Sequence, residues 1–364
     1  MHETDTLKAD FKRHDHPTYH GLNALRGVAA IAVAILHFSE GFKIPVPSSA
    51  YLAVDLFFAM SGFVIAYVYD PKFGAGMSVG SFMRARLIRF YPIYFIGLIL
   101  AAIRIAGIAL THEPWAKISE LIISLGFALA FLPAPIGRYN LPSLYPLNAP
   151  TWSLGVELVI NALFGIFHRH LKTRVVIGIV LVAAFAFVGE NLLGYGLGGA
   201  DWASVHLGLL RGILSFGIGI LLYRLRFRPR WLTALAPTTP FMLALLLALT
   251  FGRWQSTYNL VFILCLSPLL IIGASGKMPA RSIGICTYLG RTSYPLYVLH
   301  MPVYILVIGV VKSRGFDLLD VALITLGVLL ATSWYFDVLH ERLRRYLNRG
   351  SQRPNDPMSP RSAS

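Results

Sequence analysis

GLNALRGVAAIAVAILHFSEGF, residues 21–42, decides the fold. The run is apolar and long enough to cross a bilayer as a helix. Arg26 lies near its start and His37 near its end, 11 positions apart. At about 100° per residue that is three turns plus roughly 20°, so both side chains share one face, roughly 16 Å apart along the axis. An ionisable residue inside a membrane helix is costly and marks a functional site facing the bundle interior. Each alone has a plainer reading: an arginine snorkelling to the interface, a histidine satisfied by a neighbouring helix. The pair on one face favours function.

The composition extends this reading to the whole chain. Of 364 residues, 56% are hydrophobic and 13% charged, about half the charge of a soluble domain. Long continuous apolar runs exclude a barrel, leaving an all-α polytopic membrane bundle. The net charge of +15 is not a nucleic-acid signal, because the basic residues cluster in short loops. Cys265 and Cys286 lie in or beside apolar stretches and read as packing residues rather than a disulfide. The polar start, with His2, His14, His16 and His20, reads as a mobile tail rather than a metal site. No cleavable signal peptide is evident. Three regions follow: a cytoplasmic tail over 1–20, a transmembrane domain over 21–345 and a disordered cytoplasmic tail over 346–364.

Further spans are expected at Ala53–Tyr69, Ile88–Leu110, Trp152–Phe167, Val175–Val188, Val205–Tyr223, Leu232–Phe251, Thr257–Ala274, Tyr294–Val311 and Leu319–Val338. Ile118–Leu132 is apolar but short, and parity decides it. Arg169, Lys172 and Arg174 belong on the same side as the basic stretch Lys72 to Arg89. That holds only if Ile118–Leu132 does not cross, so it reads as re-entrant or interfacial. The result is about ten transmembrane helices with both termini cytoplasmic. Inside segments then hold 23 of the 32 Lys and Arg and outside loops 6, the asymmetry the positive-inside rule requires.

This topology sets the depths of the polar residues. Arg26 is at the cytoplasmic end of the first helix. Glu157, on a helix running inward, is expected near the depth of His37. A carboxylate beside an imidazole fixes its tautomer and raises its basicity. A salt bridge between helices is the plainer role for Glu157. Ser153 is one turn away on the same face. In VDLFFAMSGF, residues 54–63, Ser61 and Gly62 permit close helix packing, while Asp55 has the means to pair with a cation. Arg84, Arg86 and Arg89 are read at the cytoplasmic mouth with Arg26. Such a cluster is either a solvated positive-inside loop or a phosphate site, because guanidinium groups match phosphate geometry. Tyr294, Tyr297 and His300 step along one helix by threes, as packing or as a wall of the site.

The segments LNALRGVAAIAVAILHF, VDLFFAMSGF, RARLIRFYPIYF, TWSLGVEL, SYPLYVLHMP and SWYFDVLHERLRR occur in this order between residues 22 and 345. Together they resemble the membrane-bound acyltransferase-3 family, which includes surface-polysaccharide O-acetyltransferases. The resemblance implies transfer of an acyl group, most simply acetyl, from cytoplasmic acyl-coenzyme A to a cell-surface or lipid-linked carbohydrate. It implies a bacterial inner-membrane location and no metal. The family's arginine and histidine of the first helix fall on Arg26 and His37. Its arginine motif falls on Arg84 and Arg86, and its tryptophan-serine-leucine-glutamate motif on Trp152, Ser153, Leu154 and Glu157. The chain departs from the pattern at Leu158 and at Glu341-Arg342, where the family usually carries a second acidic residue and a glutamate-proline.

The expected mechanism places donor phosphates at Arg26, Arg84, Arg86 and Arg89, and the thioester at His37, with Glu157 orienting the imidazole. His37 is then a general base or is itself acylated. The competing class is a transporter or flippase of a glycan or lipid intermediate. Against it, the chain has no inverted repeat and no matched pair of broken helices.

Overall fold

A computed structural model describes residues 18–42, 48–109, 115–135 and 143–311, with seven isolated helical positions between 323 and 338. The described residues form helices and no strand, with one bridge between Ser143 and Asp201. In chain order the helices are α1 His20–Phe42, α2 Ala53–Gly74, α3 Val79–Ala109, α4 Trp115–Leu129, α5 Trp152–Phe167 and α6 Thr173–Leu192. Then come α7 Val205–Arg224, α8 Arg230–Thr233, α9 Thr239–Ala248, α10 Gln255–Val261, α11 Ser267–Ala274 and α12 Ile283–Val311.

Seven described stretches are long and apolar enough to cross a membrane: α1, α2, α3, α5, α6, α7 and the run Gln255–Ala274. That last run joins α10 to α11 through a π turn, Phe262–Leu266. The π turn ends just before Pro268, whose ring and missing N–H disturb the regular ladder one turn back. The outward side chains are strongly apolar, with Phe185 84% and Phe241 77% exposed. Such a surface requires lipid as its solvent, and the chain is an all-α polytopic membrane bundle. The expected span Tyr294–Val311 lies within the 29-residue α12. Leu319–Val338 lies outside the described residues except for isolated helical positions, as do nearly all of the two expected tails.

Contacts between helices fix their directions. Arg26 bonds to Gly290 and Ser293, His37 stacks on His300, and Phe38 meets Tyr304. The α12 helix therefore runs parallel to α1. Asp55 meets Arg211 and Asp70 meets Arg224, so α2 and α7 are parallel too. Their backbones touch where they cross. A Cβ built on Gly62 would fall on the carbonyl oxygen of Phe216, and one on Gly219 on that of Ala59. This is the close approach that small residues permit between membrane helices.

Three expectations about elements are corrected or sharpened. Helix α3 begins at Val79, nine residues before the expected Ile88, so Arg84, Arg86 and Arg89 lie on a helix and not in a loop. Ser78 starts it, its hydroxyl accepting the N–H of Ser81, an N-cap contact. The expected span Leu232–Phe251 is not one helix. Pro237 and Pro240 interrupt it, and only ten residues, α9, form its apolar helix. The segment still traverses the bundle. Gly276 abuts Thr233 and Gly21 abuts Ala274 at one end, while Leu247 and Leu249 accept hydrogen bonds from Ser49 at the other. Helix α4, at 15 residues, runs back along α3 only as far as Tyr91 and Tyr94, whose hydroxyls bond to Leu129 and Ala128. From Tyr91, roughly 18 Å of α3 continue toward its start, so α4 turns back partway.

Candidate active site

Five helices, α1, α2, α3, α5 and α12, surround an open cavity whose empty space, mouth and adjoining solvent included, is about 750 Å³. Arg26, Arg86, Arg89, Glu157, Ser61, Ser153, Tyr294 and Tyr297 line it, with apolar walls from Phe57, Phe58 and Met60. On α3, Arg86 and Arg89 are three residues apart and share a face. The Arg86 guanidinium donates to Glu157 at 2.8 Å, and Ser61 donates to the same carboxylate oxygen at 2.5 Å. Arg86 also lies over the Phe90 ring, 4.7 Å from its centroid, and its Nε is buried without a partner. Arg26 is held by the carbonyl of Gly290 and the hydroxyl of Ser293, at 3.2 and 3.1 Å. Among the lining residues three guanidinium groups face one carboxylate. The cavity is therefore built to receive an anion, and guanidinium forks suit phosphate.

Other expected site residues stand outside this cavity. Arg84 is exposed, because two residues along a helix from Arg86 is about 200° around it. It leaves the proposed phosphate set. Asp55 is fully buried and takes a bidentate pair from Arg211, at 3.0 and 2.6 Å. Arg211 also donates to the Gly198 carbonyl and lies over Trp152. Asp55 and Trp152 thus belong to a packed ion-pair layer between α2, α5 and α7. Back at the cavity wall, the hydroxyls of Ser153 and Tyr297 lie 2.7 Å apart, and both are within reach of the Pro150 carbonyl oxygen, at 3.2 and 3.0 Å. Tyr294 is tied to the Phe90 carbonyl.

The sequence reading puts Glu157 beside His37; in the structure Glu157 pairs with Arg86 and Ser61 instead. The partners of His37 are Glu40, whose carboxylate is 3.1 Å from Nδ1, and the His300 ring, stacked at 5.3 Å between centroids. Glu40 is three residues on from His37, a spacing that shares a helix face, so this pairing is available in the sequence. The sequence reading also misses Ser293, although it precedes Tyr294 and lies one turn before Tyr297 on the same face. His300 is enclosed between His37 and Tyr297 and does not line the cavity.

An anion cavity, with a carboxylate-held histidine farther along α1, suits transfer of an activated group from a phosphate-bearing carrier. Comparison with known proteins bears on this directly. The acyltransferase-3 family, described as an acyltransferase domain, matches residues 19–338. "Protein 2 in picA locus" of Rhizobium radiobacter is 36% identical over 172 residues, 45% of this chain and 89% of that protein. "Acyltransferase MdmB" of Streptomyces mycarofaciens is 26% identical over 162 residues, 42% of this chain, and the match spans only 39% of that protein's length. No solved structure gives a significant match. With the family matched over most of its length, the chain belongs to the acyltransferase-3 family and is a membrane acyltransferase.

Proposed function

We propose that the protein moves an acetyl group from cytoplasmic acetyl-coenzyme A to a hydroxyl of a cell-surface or lipid-linked carbohydrate. The observation that carries this reading is the cavity in which Arg26, Arg86 and Arg89 face a single carboxylate. The donor's phosphates sit among these guanidinium groups. Its pantetheine arm runs along α1 and α12, past Tyr297, over roughly the 16 Å of helix between Arg26 and His37. His37 is the general base. Glu40 accepts its Nδ1 hydrogen, leaving Nε2 to take the proton of the attacking hydroxyl. The hydroxyl oxygen bonds to the acyl carbon, the thioester bond breaks, and the sulfur leaves and regains a proton as the thiol.

The same reading orients the protein. The segments that carry Lys72, Arg169, Lys172, Arg174, Arg224, Arg226, Arg228, Arg230, Lys277 and Arg281 meet at the end of the bundle where α1 begins: Tyr67 and Arg228 reach Tyr19, Arg224 bonds to Asp70 and to the Leu171 carbonyl, and Ala274 abuts Gly21. The positive-inside rule makes that end cytoplasmic, the side on which acyl-coenzyme A is made. The N-terminus is then cytoplasmic, the expected span Leu319–Val338 would return the C-terminus to the same side, and the membrane is the bacterial inner membrane. The test is ligand stabilisation of the purified protein. Coenzyme A should raise the Tm of the wild type and of Arg84→Ala, and fail to raise that of Arg89→Ala. No shift in the wild type would remove the donor from this cavity.

A further inference from the structure

Arginines stand at 224, 226, 228 and 230, along the stretch that leaves α7, and the fold itself uses two of them. Arg224 forks onto the Asp70 carboxylate at 2.7 and 2.9 Å and donates to the Leu171 carbonyl. Arg228 donates to the Tyr19 hydroxyl at 2.9 Å, with its guanidinium over the Tyr19 and Phe63 rings. Farther on, Leu232 is buried and the Thr233 carbonyl abuts Gly276. The loop is thus pinned to the bundle at 224, at 228 and again at 232 and 233.

Between the pins it faces outward. Arg226 and Arg230 are exposed, and among the described residues neither guanidinium makes a hydrogen bond or an ion pair. Asp70 is the only carboxylate in the described segments that meet at this end, and Arg224 holds it. Each of these two arginines is followed by a bare aromatic ring, Phe227 at 64% exposure and Trp231 at 67%. Arg226 has φ at +53°, a left-handed backbone that residues other than glycine seldom adopt. The chain turns off the α7 axis there, so the backbone itself sets this outward display.

The surroundings say what covers it. Helix α7 has 20 residues, roughly 30 Å or one hydrocarbon thickness, so its end at Arg224 puts the loop at the level of the lipid headgroups. Unpaired guanidinium groups do not suit the lipid tails, and bare rings do not suit open water. At the boundary both are met, with Trp at the interface and arginine on phosphate. Charge then selects the headgroup. A zwitterionic headgroup carries its own cation beside the phosphate, whereas an anionic one leaves its phosphate to the protein, and every unpaired charge on this loop is positive.

We propose that residues 225–231 form a binding site for an anionic glycerophospholipid. Arg226 and Arg230 hold its phosphodiester, and Phe227 and Trp231 lie against the upper part of its acyl chains. On the orientation given above, the lipid belongs to the cytoplasmic leaflet. The site is separate from the arginine cavity and does not depend on the reading of the donor or of His37.

The experiment uses the full chain in nanodiscs of phosphatidylcholine with a minor share of phosphatidylglycerol. Bromine, which quenches tryptophan on contact, is carried either by the phosphatidylglycerol or by an equal amount of the phosphatidylcholine. The quenching that disappears in Trp231→Phe is the share of Trp231. An arginine near an anionic surface is worth about fivefold in affinity, so the wild type should favour phosphatidylglycerol at Trp231 by roughly tenfold or more. Arg226→Gln and Arg230→Gln should each cut that preference by about fivefold, and the double variant should lose it. Added salt should weaken it, while inorganic phosphate at constant ionic strength should not displace the lipid. As a second readout, phosphatidylglycerol should raise the Tm of the wild type more than that of the double variant. Equal quenching by the two lipids in the wild type overturns the proposal, as does an undiminished preference in the double variant or an equal rise in Tm. Absence of Trp231 quenching by either lipid overturns the placement of the loop, and displacement by inorganic phosphate overturns the lipid as its ligand.

Discussion

Removal of the Arg86 side chain has two consequences that can be measured apart. Arg86 and Glu157 are 4% and 13% exposed and meet at 2.8 Å. Breaking a buried pair from one side leaves the other charge stranded, at a cost of about 3–5 kcal/mol. Ser61 still donates to Glu157, which puts Arg86→Ala toward the lower end. On the proposed donor site, the second consequence is loss of a phosphate contact. A hydrogen bond to a charged group is worth about 1.5–3 kcal/mol, or roughly a 10- to 150-fold rise in the Michaelis constant for acyl-coenzyme A. Adding Glu157→Gln separates the two. The double variant no longer strands a carboxylate, so its thermal stability in detergent should recover most of what Arg86→Ala loses. Its donor affinity should stay weak. The assay is thermal unfolding together with donor dependence on the same preparations. If donor affinity recovers along with stability, the single variant's defect was a packing defect and Arg86 does not hold the donor. If Arg86→Ala is as stable as the wild type, the pair is not the buried contact described.

Four further outcomes follow from the geometry. Arg84→Ala should leave the donor Michaelis constant within about twofold of wild type, since an exposed arginine outside the cavity holds nothing there; a rise as large as that of Arg89→Ala would return Arg84 to the site. Asp55→Ala strands the buried Arg211 and should cost about 3–5 kcal/mol, read as lower Tm and abundance, while the surviving protein keeps normal donor affinity. Gly219→Leu should abolish accumulation in the membrane, because its Cβ would occupy the position of the Ala59 carbonyl oxygen; normal expression would contradict the α2–α7 crossing. A reporter fused after Arg174 should read cytoplasmic and one at Ala200 external, and the reverse would mean that α4 crosses.

The length of the apolar runs makes the spans legible in the sequence, because lipid admits few alternatives. The face shared by Arg26 and His37 is legible too, being a property of one helix. Partners across helices are not. Nothing in the local sequence of α5 distinguishes Arg86 from His37 as the neighbour of Glu157, and nothing in α2 names Arg211 as the partner of Asp55. Those pairings depend on helix rotation and depth, which packing sets. Two of the differences do have local signals. The angle of Arg84 against Arg86 follows from helical periodicity once α3 is started at Ser78. The break inside Leu232–Phe251 is marked by Pro237 and Pro240. Glu40 is hidden for a different reason: at the end of an apolar run it reads as an interfacial charge, and only its spacing from His37 gives it a second meaning.

The central claim is that His37 handles the proton when the acyl group leaves coenzyme A. The most direct test is transfer of label from acetyl-coenzyme A by membranes holding equal amounts of wild-type and His37→Ala protein. Label should move to a carbohydrate carrier with the wild type, and fall by about 10²- to 10⁴-fold with the variant. Transfer at the wild-type rate by a correctly inserted His37→Ala protein would contradict the account.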